Sequence, residues 1–266
     1  MYAEIRYEVD DPVAVVTLDR PEKLNALTRR TLVEIREAVT SAAADPAVFG
    51  IIVTGAGRGF CSGLDAEALQ DSVARGSGGR EDPGSETPGL FSWLLSVGKP
   101  VIAAVNGVAA GGGMVLALMS DLRFAAPSAS FTTIFSKRGL ISEHGTSWVL
   151  PRLVGTGRAL DLLWSSRRIG AEEAYRIGLV EYLTDDDDLL GSARRYLEQL
   201  AGEVSPASIR DTKRLVYRHA GVGYDEALRE ADAVQWESLD RYDAREGARA
   251  LLERRPAVFP RLGPDS

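Results

Sequence analysis

Two short apolar runs, Val48 to Thr54 and Val101 to Asn106, each end directly in glycine. A run of this length without polar alternation is the pattern of a strand buried on both faces. Buried strands that alternate with helical stretches specify an α/β architecture. The rest of the chain agrees. Tyr2 to Val9 and Val13 to Asp19 read as a hairpin joined at Asp10-Asp11-Pro12. Thr28 is placed to cap a helix through about Ala43, with Leu32, Ile35 and Val39 on one face. Met114 to Met119 is apolar all round, as a short buried helix requires.

From about Ala171 the pattern turns helical. Ser205-Pro206 opens a segment with Ile209, Leu215 and Val216 at helical spacing, and Tyr224 to Leu239 and Arg241 to Leu252 continue it. The expected division is an α/β core over 1–204 and a helical C-terminal region over 205–266, serving either assembly or as a cap on the same core. Gln70 to Gly89 is rich in Gly, Ser, Pro and charge without periodicity, so a mobile surface loop is expected there.

Composition narrows the function. In 266 residues, 45% hydrophobic and 26% charged, there is enough apolar material for a real core. One cysteine, Cys61, excludes an internal disulfide and an all-cysteine metal cage, and it reads as a small buried residue. Two histidines exclude a three-histidine zinc site, so no metal is expected. A formal charge of −7 argues against a nucleic-acid partner. No run approaches the roughly 18 apolar residues of a membrane span, and the opening residues lack a basic start and apolar stretch. A cytoplasmic protein away from the membrane is the expectation.

Three stretches carry chemistry: Gly55 to Asp65, Asn106 to Gly113, and Arg138 to Thr146. The first two each place glycines at the end of a buried strand, where a ligand can approach backbone N–H groups. The second opens an apolar helix, whose N-terminus presents unpaired N–H donors. Two such turns side by side have the geometry of an oxyanion hole. A P-loop needs Gly-Lys-Ser/Thr, and no lysine follows Gly113; Gly55-Ala56-Gly57-Arg58-Gly59 misses the last spacing of the dinucleotide fingerprint. Asp65 and Asp121 read as partners of nearby backbone, and Asp185 to Asp188 as a solvated helix start.

In order and spacing, Leu18-Asp19-Arg20-Pro21-Glu22-Lys23-Leu24-Asn25-Ala26-Leu27, then Gly59 to Asp65, then Lys99 to Gly113 with Ser120-Asp121, resemble the enoyl-CoA hydratase/isomerase (crotonase) superfamily. Leu150 to Gly155 and Ala171 to Val180 extend the resemblance. It implies a spiral of ββα units followed by a helical trimerisation region, the trimers often pairing into hexamers. It implies an acyl-CoA thioester as substrate, with coenzyme A part of that substrate and no separate cofactor. By position, the N–H groups of Ser62 and Gly112 would form the oxyanion hole. Lys23, Leu24 and Ala26, the segment Ser62, Gly63, Leu64 and Asp65, and Gly111 would line the substrate site. Phe135 and Trp148 would give apolar walls, and Gln70 to Gly89 would border the acyl pocket.

Two positions where hydratases resembling this chain carry glutamates hold Val115 and Phe135 here. Neither side chain moves a proton, so the two-glutamate hydration mechanism is not expected. A third position, used for the acid in isomerases and for a carboxylate nucleophile in other relatives, holds Glu143. One carboxylate can remove a proton at one carbon and return it two carbons away, which favours enoyl-CoA isomerisation. A hydratase with a non-standard acid set, an acyl-CoA hydrolase using Glu143, and a catalytically weak acyl-CoA-binding homologue are the alternatives. A cap on the following helix is the bland role for Glu143, and packing is the bland role for His144.

Overall fold

The computed structural model describes residues 2–75 and 89–263. β1 (Ile5–Asp10) and β2 (Val13–Leu18) form the antiparallel hairpin, with Ile5 opposite Leu18 and Asp10 opposite Val13. Residues 2–4 precede the strand rather than belong to it. The Ala3 and Glu4 amides there donate to the Glu34 carboxylate at 2.9 and 2.8 Å. α1 (Arg29–Ala44) begins at Thr28, whose hydroxyl accepts from the Thr31 amide at 3.0 Å, while the Thr31 hydroxyl accepts from the Thr28 amide at 3.1 Å. This reciprocal cap satisfies two amides that a helix start leaves open.

The chain then winds in ββα turns, each giving one strand to each of two sheets. The first turn is β3 (Gly50–Gly55), β4 (Gly59–Cys61) and α2 (Ala66–Arg75). The second is β5 (Val101–Val105), β6 (Val108–Ala110) and α3 (Gly112–Met119). The third is β7 (Leu122–Ala125), β8 (Ser130–Thr132) and, after a 3₁₀ turn at Ser136–Arg138, α4 (Thr146–Val154). α5 (Thr156–Ser165), β9 (Ile169–Gly170), α6 (Ala171–Arg176) and β10 (Tyr182–Leu183) close the core. The strand orders are β1-β2-β3-β5-β7-β10 and β4-β6-β8-β9. All pairings are parallel except β1 with β2 and β8 with β9. The α/β spiral of ββα units is therefore the fold.

Strand residues alternate between two cores, which is why the central strands read as unbroken apolar runs. Val13, Val15, Ile52, Ile102 and Ala104 pack with Leu189, Ala193 and Leu197 of α7 (Leu189–Glu203). Val16, Ile51, Val53, Val101 and Val105 face the main core with Ile35 and Val39 of α1.

Two expectations change. The segment Gln70–Arg75, expected in a loop, completes α2, whose start is supported by Asp65 Oδ1 accepting from the Glu67 amide at 3.3 Å; alanines at 66, 68 and 74 favour the helix. Residues 76–88 of the expected loop lie outside the described residues. The buried helix expected at Met114 starts two residues earlier, at Gly112, because the glycines let α3 lie directly on β4. A Cβ at Gly113 would stand 2.1 Å from the Cys61 carbonyl oxygen.

Beyond α7 come α8 (Pro206–His219), α9 (Tyr224–Leu239) and α10 (Tyr242–Glu253). Ser205 caps α8 by accepting from the Ser208 amide at 3.1 Å. Asp121 ties α8 to the core: its carboxylate accepts from the Val101 amide at 2.7 Å, from Lys213 Nζ at 2.7 Å and from the Tyr217 hydroxyl at 2.9 Å. Few apolar residues of these helices are covered within the chain. Val216, Tyr224, Leu228, Trp236, Leu251 and Leu252 are exposed, Trp236 at 64% and Leu252 at 85%.

Candidate active site

The first glycine turn leaves β4 at Cys61 and runs Ser62-Gly63-Leu64-Asp65. It pairs with the loop Leu24 to Leu27. The Leu27 amide donates to the Gly63 carbonyl at 2.8 Å and the Asp65 amide to the Leu27 carbonyl at 2.9 Å. Leu24 and Asn25 both adopt left-handed backbone, φ 49° and 56°. The buried Asn25 side chain holds that shape: its Oδ1 accepts from the Arg20 amide at 2.9 Å, and its Nδ2 donates to the carbonyls of Ala56 and Gly59 at 2.9 and 2.7 Å. Arg20 adds a clamp, donating to the Ala26 carbonyl at 2.6 Å and pairing with Asp65 at 3.3 Å.

The second glycine turn meets the first. A Cβ built on Gly63 would stand 3.3 Å from the Gly112 amide nitrogen, and one built on Gly112 would stand 3.7 Å from the Gly63 Cα. Gly112 is the first residue of α3, and its amide has no backbone partner among the described residues. Gly111, left-handed at φ 50°, donates its own amide to the Thr132 carbonyl at 3.1 Å.

The expected role of Ser62 is corrected here. Its amide donates to the Leu24 carbonyl at 3.0 Å and its hydroxyl to the Lys23 carbonyl at 3.2 Å. That amide is spent on holding the loop and is closed to a ligand. Two residues on, the Leu64 amide has no partner among the described residues. Residue-type reading placed Leu64 in the substrate site but missed it as a donor, because a backbone donor leaves no mark in side-chain chemistry. The parallel pairing of 63–65 with 24–27, which occupies alternate groups along the segment, singles it out.

The third stretch ends in a tight turn before α4. Gly145, at φ 79°, is the cap position of α4 and no side chain caps that helix. Glu143 is therefore not a cap. Its carboxylate is about one-third exposed and lies 3.3 Å from His144 Nε2. The hydroxyls of Ser142 and Thr146, on either side, are buried without a hydrogen-bond partner among the described residues. The consecutive residues Gly89 and Leu90 bridge this turn to the glycines: Leu90 Cδ1 would lie 3.4 Å from a Cβ on Gly112, and a Cβ on Gly89 would lie 3.5 Å from the His144 Cα. The acidic turn and the Gly112 end of the glycine turns thus flank one step of chain.

The remaining candidates sit as follows. Lys23 is exposed on the rim, Leu24 and Leu64 are half-buried, and Ala26 is buried beneath the loop. Val115, one turn into α3, is fully buried, and Phe135 is buried in the main core. Trp148 is half-buried, with the Arg152 guanidinium 4.0 Å from its ring centre. Cys61 is buried, and burial pushes its thiol up to about 12, which removes it as a nucleophile. Among the described residues no cluster of His, Cys, Asp and Glu could hold a metal ion, and no helix is long and apolar enough to cross a membrane.

A spiral of ββα units with open amides on two adjoining glycine turns defines the crotonase class of acyl-CoA enzymes. The profile of the family described as enoyl-CoA hydratase/isomerase matches residues 8–261. The chain belongs to that family. It is 39% identical over 260 residues to a protein named "Probable enoyl-CoA hydratase" from Rhodobacter capsulatus, covering 97% of this chain and 98% of that one. It is 38% identical over 197 residues to the "1,2-epoxyphenylacetyl-CoA isomerase" of Escherichia coli, covering 73% of this chain and 74% of that one. The crystal structure titled as a putative enoyl-CoA hydratase/isomerase family protein from Hyphomonas neptunium superposes with a TM-score of 0.89 at 31% identity, covering 98% of both chains.

Proposed function

We propose that this enzyme isomerises acyl-CoA thioesters through an enolate, with the Leu64 and Gly112 amides as the oxyanion hole and Glu143 as the base. The observation that carries this reading is the contact of two glycine turns, each with an amide unpartnered among the described residues, near one acidic turn, while Val115 and Phe135 present only hydrocarbon. The thioester carbonyl oxygen accepts from both amides. Glu143 then removes a proton from the α-carbon; the C–H electrons form the enolate, whose charge falls on the oxygen held in the hole. Each donor supplies about 3 kcal/mol of transition-state stabilisation. In a Δ3-enoyl thioester the negative charge extends to the γ-carbon, where Glu143 returns the proton, leaving the double bond at Δ2. No water need be activated, so a single carboxylate suffices.

Lys23, Leu24, Ala26, Ser62, Gly63, Leu64, Asp65 and Gly111 would shape the substrate site, Ser62 and Asp65 by holding the loop. The chain would divide at 204 into an α/β core and a helical region. The uncovered apolar residues of α8, α9 and α10 support a homotrimer built on that region. Hydration is the second reading, favoured by the name of the Rhodobacter relative.

A panel of Δ3-enoyl, Δ2-enoyl and aromatic acyl-CoAs with product analysis tests the choice, together with α-proton exchange against deuterium. Isomerised products are expected, and exchange that falls at least about 100-fold in Glu143→Gln. Water addition to Δ2-enoyl substrates would move the enzyme to hydration, an acyl-enzyme at Glu143 to hydrolysis, and coenzyme A binding without exchange to a binding protein.

A further inference from the structure

We infer that His144 is the positioning residue of Glu143, holding that carboxylate in the orientation in which it works as a base. The inference rests on Glu143 being the base.

Neighbouring side chains normally diverge along a chain. Here the backbone turns back on itself, with His144 left-handed at φ 53° and Gly145 at φ 79°. That turn carries the imidazole onto the preceding carboxylate, Nε2 to Oε2 3.3 Å. A left-handed histidine is uncommon and persists only where its surroundings enforce it. One feature holds it: the Thr146 amide closes the turn by donating to the Glu143 carbonyl at 3.0 Å. Gly89 packs against the turn, a Cβ there lying in ordinary contact 3.5 Å from the His144 Cα and 3.7 Å from its Cβ. Among the described residues the Glu143 carboxylate has no other charged partner. The two flanking hydroxyls, Ser142 and Thr146, are not bonded to it.

Both side chains are partly buried, at 24% and 32% exposure for His144 and Glu143, so neither is free to leave the other for open solvent at no cost. The imidazole lies against the Glu143 carboxylate, and the segment packed on this turn brings Gly89 and the Ser92 hydroxyl beside it. A ring nitrogen at this distance holds the carboxylate in one orientation, as a base that serves two carbons in turn requires.

His144→Asn keeps a residue that tolerates left-handed backbone and removes the imidazole ring. The expected result is a kcat about tenfold lower with KM within about twofold. In His144→Gly, added imidazole restores part of kcat. A His144→Asn enzyme with the parent kcat overturns the inference. So does one altered only in melting temperature or KM. Glu143→Gln separates the two proposals: if it keeps full activity the catalytic reading itself fails, whereas lost activity there with an unchanged kcat in His144→Asn removes only the role of His144.

Discussion

Gly113→Ala probes the contact on which the proposed oxyanion hole is built. A Cβ at Gly113 would fall 2.1 Å from the Cys61 carbonyl oxygen and 2.7 Å from the Cys61 Cβ, where ordinary contact begins at 3.4 Å. The shortfall of 1.3 Å has no flexible side chain to absorb it. Cys61 is buried and paired with Ala109 in the second sheet, and every residue of α3 is buried. α3 must therefore move off β4 by about an ångström. Gly112 moves with α3, and the turn carrying Leu64 stays with β4, so the two amides part. Overpacking of this kind costs about 1–3 kcal/mol, and the upper end is expected because backbone opposes the new methyl. Melting falls by about 2–4 °C per kcal/mol in a chain of this size. A displacement of about 1 Å costs on the order of 100-fold in rate. Thermal melts and α-proton exchange on one acyl-CoA measure both effects. Gly202→Ala in α7 is the control: its Cβ meets nothing within 4 Å, and alanine there is expected to be neutral or to stabilise by about 0.5–1 kcal/mol. A Gly113→Ala protein that melts within about a degree of the parent, with exchange within about threefold, would refute the reasoning.

Two further substitutions test the frame around the site. Lys99, 3% exposed, donates to the Ala42 and Asp45 carbonyls at 3.0 and 2.6 Å and so closes the end of α1; Lys99→Met leaves both acceptors unmet and is expected to cost about 1–3 kcal/mol in urea unfolding. Burial lowers the Lys99 ammonium to about 8, below its unfolded value, so the native state sheds this proton first. Its contribution to stability therefore rises with pH above about 8, and that rise is absent in Lys99→Met. Asp121→Ala strands the Lys213 ammonium, which burial already pushes below the ordinary lysine range, and cuts the tie to Tyr217. A loss of about 3–5 kcal/mol is expected, with faster hydrogen exchange in α8 than in the central strands. Asp121→Ala with unchanged exchange in α8 would show that α8 is held elsewhere.

The runs Val48 to Thr54 and Val101 to Asn106 were legible as buried strands because both faces of β3 and β5 are covered, one by α7 and one by the main core. The Thr28 cap, the Ser205 cap and the limits of α9 follow from local rules acting over a few residues, so they too could be read directly. The end of α2 could not. The segment Gln70 to Arg75, with Val73 and Ala74 side by side, shows no helical repeat of apolar residues, and helix there continues from a start set by Asp65.

At the site, residue types and order located the two glycine turns and the acidic turn. They could not say which amide is open. A backbone donor has the same chemistry at every position, and whether it is available depends on what pairs with it across the fold. The Leu24 carbonyl takes the amide of Ser62 and leaves that of Leu64. The closeness of Glu143 to His144 is of the same kind: adjacency in the chain was plain, but only the left-handed turn at 144–145, closed by the Thr146 amide, brings the two side chains together.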